Sequence, residues 1–224
     1  MLTPSSSIRS LFIDGPAGRL EALLNAGAAN ATYAAVVCHP HPLFGGTLHN
    51  KVVFHTMKSL NHFGFPVLRF NFRGTGLSQG EHDYGRGEVD DVRAALDWLD
   101  AEFHLPLIFA GFSFGAAVGL RAACEDARVR ALIGVGMPVA PVAADTEEPR
   151  VYDFDFLHDC AKPKLFVSGA RDQFGPRGKL ESLVASLPEP RKLVLIEGAD
   201  HFFEGRLHEL REAISSWVND SQLL

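Results

Sequence analysis

A chain of 224 residues is the size of a single domain, and with 46% hydrophobic residues it can bury a core of its own. Its formal net charge of −6 leaves no basic excess to neutralise phosphates, which argues against nucleic acid and anionic membrane surfaces as partners. No run is apolar for long enough to span a bilayer, the N-terminal "MLTPSSSIRS" lacks the pattern of a signal peptide, and the odd count of three cysteines, Cys38, Cys124 and Cys160, suits a reducing cytoplasm better than a disulfide framework.

In chain order, "IRSLFI" and "RLEALL" flank the turn sequence "DGPAG" and predict a β-hairpin. Six short apolar runs follow, at 33–39, 66–72, 105–111, 129–136, 162–169 and 191–198. They do not alternate, which is the pattern of strands covered on both faces in a parallel sheet. Between them lie segments of helical period: "HNKVVFHTMKSLNHFG", "GEVDDVRAALDWLDAEF" with acids at its start, "FGAAVGLRAACED", "GPRGKLESLVASLP" and the closing "FEGRLHELREAISSWVND". A hairpin followed by alternating strands and helices predicts one α/β domain over residues 1–224, with helices on both faces of the sheet. Residues 137–161, with Pro138, Pro141 and Pro149, keep no period and read equally as a lid or as a surface excursion.

Residues 111–115, "GFSFG", follow one of the predicted strands and precede a predicted helix. A sharp strand-to-helix turn strains the central residue and requires small neighbours, and it presents a serine hydroxyl at the sheet's C-terminal edge. The plainer reading of Ser113 is a helix cap. A serine nucleophile needs a base, and the base needs a carboxylate to orient it. His201, in "GADHFF", and Asp172, in "SGARDQF", each follow a different strand and share that edge. Asp200 adjoins His201 and is poorly placed to meet its ring, while Asp153, Asp155 and Asp159 lie in the irregular segment. An oxyanion needs backbone donors. Phe114, next to the serine, is one candidate. The loop "HPHPLFGG" supplies the other, with Pro40 and Pro42 unable to donate, Leu43 ahead and Phe44 second.

His39, His41, His49 and His55 make a weak metal pattern, since no cysteine or carboxylate cluster accompanies them; neither metal nor cofactor is expected. "FRGTGLSQG" lacks the phosphate-loop lysine and spacing, and Arg73 within it is expected to tie loops together. Phe44, Phe112, Phe114, Phe174 and Phe202 are candidates for pocket walls, with core packing as the alternative for each.

The blocks "CHPHPLFGGTLHNKVV", "RFNFRGTGLSQG", "GEVDDVRAALDWL" and "AGFSFGAA" resemble the α/β-hydrolase superfamily, and within it small bacterial hydrolases related to dienelactone hydrolases. The resemblance covers nearly the whole chain. It implies a mostly parallel eight-stranded sheet with an antiparallel second strand, no large cap domain, and a triad of Ser113, Asp172 and His201. Its "IFG" oxyanion step corresponds to "LFG" at 43–45 and points to Leu43. Dienelactone hydrolases use a cysteine nucleophile, and the serine here turns the expectation toward ordinary esters with short acyl chains. Thioester or peptide cleavage, acyl transfer and a non-catalytic binding role are the alternatives, and the oligomeric state stays open.

Overall fold

The computed structural model describes residues 7–141 and 151–221. Strands β1 (Ile8–Gly15) and β2 (Gly18–Asn25) form the expected hairpin, paired antiparallel from Ile8–Asn25 down to Gly15–Gly18. The six apolar runs become β3 (Ala34–Cys38), β4 (Val67–Phe70), β5 (Leu107–Phe112), β6 (Val129–Val135), β7 (Lys164–Gly169) and β8 (Arg191–Ile196). All eight strands join one sheet in the order β1-β2-β4-β3-β5-β6-β7-β8. β2 is antiparallel to both neighbours, and every pairing from β4 to β8 is parallel.

The absence of alternation has the anticipated cause. In β5, Leu107 and Phe109 pack on one face of the sheet while Ile108, Ala110 and Phe112 pack on the other. Helices α2 (Gly87–Phe103), α3 (Phe114–Glu125) and α4 (Arg177–Ser186) cover the first face, with Leu96, Leu120 and Leu180 buried there. Helices α1 (Lys51–Asn61) and α5 (Leu207–Asp220) cover the second with Met57, Ile214 and Trp217. Each strand therefore contributes apolar side chains in both directions.

Two boundaries differ from expectation. The last helix starts at Leu207 rather than near residue 203, because Phe203 sits in the left-handed region at φ 53° and Arg206 N–H closes a turn onto its carbonyl at 2.8 Å. In the irregular segment, Asp155–Asp159 forms a short 3-10 helix flanked by Phe154 and Cys160, which bury with Leu157 in the core shared with α3. Residues 142–150, the middle of the segment read equally as a lid or a surface excursion, lie outside the described residues.

The chain enters β3, moves outward to β4, then crosses back to β5 on the other side of β3. This reversal opens a crevice beyond the carboxyl ends of β3 and β5, where ligands bind in open parallel sheets.

Candidate active site

Ser113 occupies the junction between β5 and α3 with φ 55° and ψ −116°. A non-glycine residue held there carries strain of about 1–3 kcal/mol. Its N–H donates to Val135 O at 2.9 Å, and its carbonyl accepts from Ala117 N–H at 3.0 Å, so sheet and helix clamp it from both sides. The glycines of the motif are required by contact. A Cβ on Gly111 would stand 2.6 Å from Gly115 O, and one on Gly115 would stand 2.5 Å from His39 O. Although Ser113 is the N-cap residue of α3, its side chain makes no capping bond. The plain capping role is absent.

The hydroxyl is turned to His201 instead, with 3.0 Å between Ser113 Oγ and His201 Nε2. His201 Nδ1 lies 2.7 Å from Asp172 Oδ2. Asp172 is fully engaged. Its Oδ1 accepts from the N–H groups of Phe174 (2.8 Å) and Gly175 (3.1 Å), and its Oδ2 also accepts from Ser168 Oγ at 3.1 Å. A buried carboxylate with four donors is held in one orientation and accepts a hydrogen bond from Nδ1–H, which leaves the Nε2 lone pair for the serine hydroxyl. The imidazole is enclosed by the rings of Phe112, Phe174 and Phe202, with centroids 4.9, 4.7 and 5.2 Å away. Gly136, at φ 56°, passes so close that a Cβ there would stand 2.8 Å from the Phe112 ring and 3.2 Å from His201 Cε1. Asp200, the competing acid, accepts from Phe202 and Glu204 N–H at 3.0 Å each and shapes the loop that carries His201.

A cavity of about 310 Å³ opens above Ser113 and His201, near the lower end of the range for small-molecule sites. Phe44, Phe114, Tyr152, Phe174 and Phe202 supply its aromatic walls. On one side runs the loop after β3, from Pro40 to Gly46, ending at Asn50. This loop is fastened by His39, whose Nε2 accepts from Phe72 N–H at 3.0 Å while Nδ1 meets Pro40 O at 2.7 Å. Only the neutral ring with its proton on Nδ1 fits both contacts, and burial depresses the pKa to about 4. Both nitrogens thus serve the backbone, which removes His39 from any metal reading. Arg73 grips the buried carboxylate of Asp91 with two nitrogens, at 2.7 and 3.1 Å, and ties the loop after β4 to α2. Truncating Arg73 would strand that buried charge, at a cost of about 3–5 kcal/mol.

The model of the alpha/beta hydrolase domain family matches residues 44–219. The chain belongs to the α/β-hydrolase family. An alpha-beta serine hydrolase homologue from Coxiella burnetii is similar at 35% identity and a TM-score of 0.82, over 96% of this chain and 98% of that one. A serine hydrolase without lid from Xanthomonas campestris is similar at 32% identity and a TM-score of 0.82, over 99% and 97% of the two chains. An uncharacterized protein of Rickettsia prowazekii is 35% identical over 93% of this chain and 87% of its own length.

Not every residue picked from the sequence reaches the cavity of this hydrolase. Phe44, Phe174 and Phe202 line it, as does Phe114. Phe112 does not: it is fully buried behind the imidazole, because it points to the opposite face of the sheet from Phe114's helix. Leu43 is half-exposed in the short 3-10 helix Pro42–Phe44 and is not part of the wall. Phe44 N–H and Gly46 N–H close the turn onto His41 O at 3.2 and 3.0 Å, and Gly45 N–H bonds Pro42 O at 3.0 Å. His41, singled out in the sequence only within a weak metal pattern, lines the cavity and packs its ring 4.9 Å from that of Phe114; Tyr152, Asn50 and Gln173 also line it and escaped the sequence reading. For Gln173 the signal was its adjacency to Asp172. For His41 the signal was its place in the loop expected to supply an oxyanion donor, and no local pattern marks Tyr152 or Asn50.

Proposed function

We propose that this hydrolase is a serine carboxylesterase acting on small, short-chain acyl esters. The observation that carries the reading is the hydrogen-bonded series Ser113–His201–Asp172 at the floor of an apolar cavity. Ser113 Oγ attacks the ester carbonyl while His201 Nε2 takes its proton, and Asp172 holds the imidazolium that forms. The carbonyl oxygen becomes an oxyanion. Phe114 N–H, at the first turn of α3, has no preceding helical carbonyl to bond and faces this charge together with the helix dipole. The second donor comes from the loop after β3. His41 takes that role ahead of Leu43, since its residue borders the cavity beside Phe114 and Leu43 does not. The tetrahedral species then breaks its bond to the alkoxy oxygen, which leaves as the alcohol with the proton from His201. Water, deprotonated by His201, attacks the acyl-enzyme, and Ser113 regains its proton as the acid departs.

The cavity's modest volume favours acetyl to butyryl groups, and the three free thiols support the expected cytoplasmic location. Ser113→Ala tests the reading directly. Wild type hydrolyses p-nitrophenyl butyrate and is labelled by a fluorophosphonate, whereas the variant loses label and about 10⁴-fold or more in kcat/KM. A wild type inert to short esters and to the probe overturns the proposal.

A further inference from the structure

Asn50 is the N-cap residue of α1 and part of the cavity wall. Nearly all of its hydrogen-bonding capacity is committed. Its N–H donates to Thr47 O at 3.0 Å, its carbonyl accepts from Phe54 N–H at 2.9 Å, and its Oδ1 accepts from Val52 N–H at 2.8 Å. That last bond also decides which way the amide lies, because an amino group cannot accept from an N–H. Nδ2 remains, and it donates to nothing among the described residues.

Among the described residues, the rest of the wall is largely aromatic, and no Lys, Arg, Asp or Glu belongs to it. A charged group on a ligand would be desolvated there without a counter-ion. The Asn50 side chain is half-buried at the cavity wall. A ligand that fills the cavity shuts solvent out from this amide and must offer it an acceptor or leave the donor unpaired. We infer that the substrate is an uncharged ester carrying an additional acceptor oxygen, of ether or carbonyl type, and that Asn50 Nδ2 selects it. The inference rests on the carboxylesterase reading and adds a substrate class to it.

Two pairs of isosteric esters test it: p-nitrophenyl methoxyacetate against p-nitrophenyl butyrate for an acceptor in the acyl part, and 2-methoxyethyl acetate against butyl acetate for one in the alcohol part. Asn50→Ser and Asn50→Asp both retain a side-chain oxygen that caps α1, so the fold is not at stake. The readout is the ratio of kcat/KM within each pair, which cancels any general effect on folding or catalysis. In one pair that ratio falls about fivefold or more in Asn50→Ser, as expected for one lost neutral hydrogen bond, and the change lies in KM. It falls further in Asn50→Asp, where a carboxylate faces the acceptor. Ratios that stay at the wild-type value in both pairs and both variants overturn the inference while leaving the esterase reading intact. Wild type that hydrolyses none of the four esters overturns both.

Discussion

Asp172→Asn changes one atom of the site, and the structure dictates which one. The two N–H groups of Phe174 and Gly175 bond Oδ1 at 2.8 and 3.1 Å. An asparagine must present its carbonyl oxygen to them, since the reverse placement would leave two buried donors facing an amino group, at about 1–3 kcal/mol each. The amino group therefore takes the place of Oδ2, 2.7 Å from His201 Nδ1. It donates to Nδ1 and forces the imidazole proton onto Nε2, which then points at Ser113 Oγ with nothing to accept the serine proton. The fold is retained and the general base is lost. A wrong-tautomer substitution of this kind reduces kcat by about 10⁴-fold, or about 5 kcal/mol of transition-state stabilisation. The assay is kcat/KM on p-nitrophenyl butyrate, with the rate of fluorophosphonate labelling falling in parallel and thermal unfolding remaining cooperative. Activity within tenfold of wild type would refute both the tautomer argument and the role given to Asp172.

Other outcomes follow from the same geometry. Gly136→Ala places a methyl group 2.8 Å from the Phe112 ring at a backbone angle that alanine resists; it should cost about 1–3 kcal/mol of stability in urea unfolding and lower kcat more than KM, by displacing the imidazole. His39 also makes stability depend on pH. Its folded pKa of about 4 lies below the ordinary 6.5, so the unfolded chain binds the extra proton, and stability falls as pH drops from 6.5 towards 4. The full contribution is about 3 kcal/mol, and His39→Asn should flatten the slope of unfolding free energy across that window. Loss of labelling in Ser113→Ala and the altered substrate ratios of the Asn50 variants complete the set.

Much of this molecule was legible in the residues alone. Buried parallel strands appear as short unbroken apolar runs, so all six of them and the order of the layers could be read before any contact was known. The convergence of Ser113, Asp172 and His201 at one edge was legible for a related reason. Parallel strands all end at one edge, so residues just past three different strands converge there, and a turn that needs Gly111 and Gly115 marks the serine. What followed the strand ends was not legible in the same way. Phe112 and Phe114 both adjoin Ser113, and only the reversal of direction at Ser113 sends one behind the imidazole and the other to the cavity. In the loop after β3, the carbonyls of His41 and Pro42 capture the N–H groups of Phe44, Gly45 and Gly46, and the tight turn carries Leu43 outward while leaving His41 at the wall. Tyr152 reaches the cavity from a distant part of the chain, and Asn50 from the cap of α1. Sequence periodicity determined which backbone lies in the sheet and where its edge presents chemistry; the packing of loops over that edge decided which side chains meet a substrate, because a loop's course depends on contacts between residues far apart in sequence.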